Sequence, residues 1–224
     1  MTLNLFDEAL PAYTAPEVIA PGAAILRGFA LPAAVALMHG VDAVVAAATL
    51  RHLVTPGGQT MSVAMSNCGP LGWVSDRRGY RYCAVDPLTN QAWPAMPAGF
   101  MALAANAAEE AGFAGFTPNA CLINHYQPGA RMGLHQDRDE GGQAGDFSAP
   151  IVSVSLGLAA VFMFGGLQRK DKTTRWPLLH GDVVVWGGPS RLTFHGVAPL
   201  KEGEHALLGA RRVNLTFRWV RTGD

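Results

Sequence analysis

Two histidines and an aspartate stand out among the residues of this chain that could hold a metal. His135 and Asp137 form a His-x-Asp pair in "LHQDRDE", Leu134 to Glu140, and His195 lies in a later apolar segment, "FHGV". Two imidazoles and one carboxylate on one face of an ion, with the other positions open, make the facial triad of non-haem Fe(II) oxygenases. Read as a β-strand, "LHQDRDE" projects Asp139 to the same side as His135 and Asp137, because alternate side chains share a face. A His-x-Asp pair also occurs on ordinary solvated strand faces, so the pair alone leaves both readings open.

A second cluster asks for a ligand of its own. In "RRVNLTFRWV", Arg212, Asn214, Thr216 and Arg218 fall on one strand face, while Val213, Leu215 and Phe217 fall on the other. Two arginines aligned with an amide, on a strand whose opposite face is core, call for an anion, and a dicarboxylate would satisfy both. An edge strand with solvated arginines is the alternative. "ACLINHY" likewise sets Leu122, Asn124 and Tyr126 on one face. The following "QPGA" has Pro and Gly in type II turn order, which would fold this strand back against "MGLHQD". No convincing Ser/His/Asp or Cys/His nucleophile accompanies these groups.

The elements that position these residues divide the chain in two. Residues 1–22 are aperiodic and contain Pro, which suggests an N-terminal arm, with 23–224 as a single domain. "LPAAVALMHGVDAVVAAATL" has Pro32 near its first turn and reads as a buried helix; "MPAGFMALAANAAEEAGF", from Pro97 to Gly112, reads as a second. Between them, about 50–92, lies a stretch rich in Gly, Pro and aromatics, read as hairpins and loops where a lid would sit. From Ala120 onward the period changes to two, with Gly-rich turns between short strands. The fold class is therefore α+β, a jelly-roll core with N-terminal helices.

Composition narrows the function classes. Among 224 residues, 17 basic and 17 acidic side chains give zero formal charge, which argues against gripping nucleic acid by bulk electrostatics. The three cysteines form no CxxC pair, so neither a disulfide framework nor a zinc cluster is expected, and a reducing cytoplasm fits best. The start "MTLNLFDEAL" is not a signal peptide, and the apolar stretches are interrupted by polar groups, so no membrane span is expected.

Taken together, these segments resemble the AlkB family of Fe(II)- and 2-oxoglutarate-dependent dioxygenases, which repair alkylated bases by oxidative demethylation. The matching runs include "TPGG", "TMSVAMSNCG", "LGW", "WPAMP", "LHQDRDE", "APIVSVSLGL", "HGDVVVWGG" and "RRVNLTFR", in family order from about residue 50 onward. The resemblance implies a double-stranded β-helix with a nucleotide-recognition lid. It implies Fe(II) on His135, Asp137 and His195. Contacts to 2-oxoglutarate would come from Leu122, Asn124, Tyr126, Arg212, Asn214 and Arg218, with Arg212 on the distal carboxylate and Arg218 near the iron. O2 would be the second cosubstrate, and the products would be succinate and formaldehyde.

For the substrate, the resemblance implies a flipped base between Trp73 and the His135 ring, with Met65 and Tyr80 lining the pocket and Asp139 and Arg169 orienting the lesion. Arg131 and Arg138 would meet backbone phosphates. The partner is then alkylated DNA, single-stranded or otherwise, or RNA, bound by a monomer. Without the resemblance, Trp73 and Tyr80 read equally well as loop packing and Met65 as core. Gln59 stands where close relatives would carry Tyr, and Gly133 where they would carry Ser, which bears on substrate choice. His39, His52, His125, His180 and His205, and Trp93, Trp176, Trp186 and Trp219, read as structural. The rivals are an oxygenase acting on RNA, protein or a small molecule, and a non-catalytic jelly-roll binding module.

Overall fold

The computed structural model describes residues 13–141 and 146–221. In chain order the strands are Glu17–Ala20 (β1), Ala23–Leu26 (β2), Arg51–Val54 (β3), Thr60–Cys68 (β4), Gly72–Asp76 (β5), Gly79–Cys83 (β6), Ala120–Tyr126 (β7), Met132–His135 (β8), Ile151–Gly157 (β9), Ala160–Phe164 (β10), Thr174–Leu178 (β11), Val183–Trp186 (β12), His195–Val197 (β13) and Arg212–Arg218 (β14); the helices are Ala34–Ala47 (α1) and Ala98–Glu110 (α2). A large sheet runs β1-β2-β12-β9-β14-β7-β4-β3, a smaller one β11-β10-β13-β8, and β5 and β6 form a separate two-stranded ribbon. Neighbours within all three sheets are antiparallel.

Alternation along the central strands builds two different layers from the large sheet. Val152, Val154, Leu156, Val213, Leu215, Phe217, Cys121 and Ile123 pack with Leu37, Met38, Val41 and Val44 of α1 and Phe100, Leu103, Ala104 and Ala107 of α2. The intervening residues turn towards the smaller sheet, where Ile25, Val184 and Trp186 meet Phe162, Phe164 and Leu178. The apolar positions of α1 recur at helical spacing, which gives it one buried stripe. Pro97 caps α2, and Gly112 beyond it takes a positive φ of 89°, as a helix stop requires.

Four expectations change. The N-terminal arm does not extend to residue 22: Glu17–Ala20 pairs with β2 at the sheet edge, a strand too short to show a period; residues 1–12 lie outside the described residues. The segment 50–92 is not all apart from the core, since β3 and β4 extend the large sheet and β5–β6 alone forms a ribbon. The "QPGA" turn has Gly129 at φ 85°, with the Ala130 amide donating to the Gln127 carbonyl, but β8 does not fold onto β7. It crosses to the smaller sheet and pairs with β13, while β7 is flanked by β4 and β14. Finally, "LHQDRDE" is strand only as far as His135, and Asp139 lies in a 3-10 turn, so period two does not place Asp137 and Asp139.

Candidate functional site

The candidate metal site forms where β8 and β13 meet. His135 and His195 are direct cross-strand partners, with ring centroids 4.4 Å apart. Asp137 follows just after β8, and the ligand atoms of His135, Asp137 and His195 lie within 4.8 Å of one another. Backbone carbonyls set both imidazoles: Nδ1 of His135 is 2.9 Å from Gly133 O, and Nδ1 of His195 is 3.0 Å from Thr193 O. A ring nitrogen facing a carbonyl must donate, so each Nε2 is left with a lone pair for a metal. Trp186 packs against His195 at 4.8 Å, contributing to the cluster's wall as well as to the core.

Electrostatics prepare the same three groups. Burial pushes the His195 imidazole down to about 3, with His135 adding to the effect, so His195 is neutral as a ligand must be. Burial works to raise the Asp137 carboxyl, but Arg218, His195 and His135 outweigh it and hold it well below the usual carboxylate range. Arg218 grips Oδ2 of Asp137 from Nε at 2.9 Å and Nη2 at 2.8 Å. Oδ1, 3.5 Å from Nε2 of His135, is the oxygen turned towards the histidines. This donor set, two imidazoles and one carboxylate with one face open, suits Fe(II).

Beside it, β7 and β14 supply a polar floor in direct register: Tyr126 opposite Arg212, Asn124 opposite Asn214, and Leu122 opposite Thr216. Ser153 and Ser155 of β9 border it, accepting from Asn214 Nδ2 at 2.8 Å and Arg212 Nη2 at 2.9 Å. Arg212 is 1% exposed, and its guanidinium lies 4.8 Å from the Tyr126 ring centroid. Among the described residues its Nε and Nη1 have no hydrogen-bond partner, nor has Asn124 Oδ1. A buried cation with spare donors fits a carboxylate, as a keto diacid supplies. Arg218 differs, since its donors go to Asp137 and Glu140.

A cavity of about 600 Å³ joins these two groups to the surface and is lined by Met65, Trp73, Tyr80, Asp139, Arg169, Arg131, Arg138, Gln59 and Gly133 among others. At its mouth the β5–β6 ribbon presents Trp73 and Tyr80, stacked at 5.5 Å and 13°, with Trp73 Nε1 donating to Asp139 Oδ2 at 3.0 Å. The Tyr80 ring lies against Trp73, and the His135 ring lines the same cavity. Met65 is buried among Leu122, Tyr126 and Val63 as well as lining the cavity. Arg131 and Arg138 are exposed, and Arg169 lies over the Phe194 ring at 6.0 Å. Sequence reasoning did not single out Tyr82, Glu140 or Arg191, which surround Asp137; their only signal is long-range pairing.

The family model described as the 2OG-Fe(II) oxygenase superfamily matches residues 22–218. The chain is 55% identical over 216 residues to "Alpha-ketoglutarate-dependent dioxygenase AlkB" of Escherichia coli (strain K12), covering 96% of this chain and 97% of that one. It is 39% identical over 109 residues, 46% of this chain and 25% of the other, to "DNA N(6)-methyladenine demethylase ALKBH1D" of Arabidopsis thaliana. The solved structure titled "The structure of OsALKBH1" superposes with a TM-score of 0.78 at 27% identity, over 91% of this chain and 99% of that one. These matches leave no place for a non-catalytic binding module. The chain belongs to the 2OG-Fe(II) oxygenase superfamily, and within it to the AlkB-type dioxygenases that depend on Fe(II) and 2-oxoglutarate.

Proposed function

We propose that this enzyme oxidatively demethylates alkylated nucleic-acid bases, such as 1-methyladenine and 3-methylcytosine, with DNA as the substrate and RNA as the alternative the same site could take. The observation that carries this reading is the cavity itself, which runs from the Trp73–Tyr80 pair to the His135, Asp137 and His195 cluster. A planar base drawn out of its stack needs a flat platform and a polar edge contact, which Trp73, Tyr80 and Asp139 offer together. A cationic methylated base gains further from the aromatic faces and from Asp139. One relative is by name a DNA demethylase, which points to the same substrate class.

In this reading His135, Asp137 and His195 hold Fe(II), Arg212 takes the distal carboxylate of 2-oxoglutarate, and Leu122, Asn124, Tyr126 and Asn214 shape its pocket. Bound Fe(II) with 2-oxoglutarate and O2 supplies oxidation of the base methyl, with succinate, CO2 and formaldehyde as products. Arg218 fixes Asp137. Met65 narrows the base pocket, Arg169 orients the lesion, and Arg131 and Arg138 take flanking phosphates. The β5–β6 ribbon is the nucleotide-recognition lid, and the chain from β1 onward acts as one catalytic domain, working as a cytoplasmic monomer. Among the described residues no helix is long and apolar enough to cross a membrane.

The test is formaldehyde release from an oligonucleotide carrying one 1-methyladenine, with and without Fe(II) and 2-oxoglutarate, beside an unmethylated control. Release that requires both cofactor and cosubstrate is the expected result. Consumption of 2-oxoglutarate without release from DNA or RNA would move the substrate to a protein or a small molecule, with Gln59 and Gly133 as the first residues to examine.

A further inference from the structure

The β5–β6 ribbon reaches the metal cluster through two consecutive carboxylates. Trp73 and Tyr82 are direct partners across the ribbon and face the same way. Trp73 bonds Asp139, and the Tyr82 hydroxyl donates to Glu140 Oε1 at 2.6 Å. Glu140 is buried and shared with two cations, Arg218 Nε at 3.3 Å from Oε1 and Arg191 Nη2 at 3.4 Å from Oε2. The same two arginines hold Asp137, Arg218 through Oδ2 and Arg191 through the main-chain carbonyl, the latter at 2.9 Å. From the Tyr82 hydroxyl to Asp137 the path therefore crosses one carboxylate and one guanidinium, both buried.

Two cations and two anions balance in this cluster, so its members compete for donors rather than for charge. With Tyr82 in place, Oε1 of Glu140 has its own neutral donor, and Arg218 keeps Nη2 on Oδ2 of Asp137 and Nε nearer to that oxygen, at 2.9 Å, than to Oε1 of Glu140, at 3.3 Å. Without that hydroxyl, Glu140 draws on Arg218, and a buried network left partly satisfied rearranges at its weakest contact. The contact at risk is the one that turns Oδ1 of Asp137 towards the histidines.

We infer that Tyr82 and Glu140 are positioning residues that couple the seating of the β5–β6 ribbon to the orientation of Asp137 at the metal. The inference rests on the reading that His135, Asp137 and His195 hold the metal; it does not depend on which substrate enters. Coupling is reciprocal, so metal binding seats the ribbon just as the seated ribbon favours the metal.

The experiment uses Mn(II), which binds in place of Fe(II) without turnover, and follows amide hydrogen exchange over Gly72–Cys83 with and without Mn(II) and 2-oxoglutarate. In the wild-type protein loading should slow exchange in this ribbon. In Tyr82→Phe the slowing should vanish and Mn(II) affinity should fall by up to about tenfold, the lower end for loss of a direct hydrogen bond to a metal ligand, because Tyr82 acts one step further out. Glu140→Gln should behave in the same way. Arg81→Ala is the contrast: it removes an ion pair to Asp76 within the ribbon, at 2.7 Å, without touching the path. It should speed exchange in both states and keep the difference between them. Tyr82→Phe matching wild type in protection and affinity would overturn the inference, as would a wild-type ribbon indifferent to bound Mn(II). Failure of Mn(II) to bind wild-type protein would remove the metal site and the coupling together.

Discussion

Arg212 has been taken out of water with two of its donors unmatched among the described residues. Burial lowers its pKa, and the neighbouring Tyr126 side chain offsets only part of that. A carboxylate arriving there gains charge-assisted hydrogen bonds worth about 1.5–3 kcal/mol each. Arg212→Ala should therefore raise the KM for 2-oxoglutarate by at least about 10- to 100-fold, the equivalent of one such bond, measured by succinate production. Arg212→Lys should recover little, because an ammonium cannot present a planar fork. An unchanged KM would take Arg212 out of the cosubstrate site. Asp137→Ala should abolish turnover, since it removes the sole anion of the triad and leaves Arg218 facing Glu140 alone. The lining of this pocket was legible from alternation on β7 and β14, because a strand with one apolar face declares the other. Glu140, Tyr82 and Arg191 were not, because their roles come from partners 51 and 58 residues away and from no local period.

At the scale of elements, the contact of β8 with β13 depends on a residue without a side chain. A Cβ on Gly196 would stand 2.7 Å from the Met132 carbonyl oxygen and 3.1 Å from the Gly133 backbone. The register shifts at this point, between His195 opposite His135 and Val197 opposite Met132. Gly196→Ala should force the two strands apart where they carry His135 and His195, the proposed metal ligands. The expected cost is about 1–3 kcal/mol of stability, as for other overpacking changes, with a matching loss of Mn(II) affinity. Unfolding in urea with and without Mn(II) checks it, and a variant as stable as wild type would mean that β8 can yield. The pairing of β8 could not be read from sequence. Its four residues carry too little pattern to choose a partner, and the "QPGA" turn specifies a reversal but not the sheet in which the next strand lands. The long strands β9 and β14 and both helices were readable because each buries a face along its whole length.

For the whole molecule, the buried imidazoles fix the sign of its response to acid. Burial lowers His195 to about 3 and also lowers His125, His180 and His205. In the unfolded chain these groups titrate near 6.5. Below about pH 6.5 the unfolded state takes up protons that the fold refuses, so stability falls as pH drops from there towards the folded value of His195. Asp137, held low by Arg218 against its burial, acts in the same direction at still lower pH. The urea midpoint of the metal-free protein should thus fall progressively between about pH 6.5 and 4.5; a rise would mean that these imidazoles are charged in the fold. Metal loading acts on the same equilibrium from the other side, because it binds the folded cluster and not the dispersed ligands. At a concentration about 100 times its Kd, Mn(II) should add about 2.7 kcal/mol. For a chain of this size that corresponds to a Tm higher by about 5–10 °C. Asp137→Ala should lose that shift while keeping its acid sensitivity through His180 and His205, whose Nδ1 atoms accept the backbone amides of Gly157 and Leu207 rather than any group of the cluster. A full Mn(II) shift in that variant would place the bound metal somewhere other than between β8 and β13.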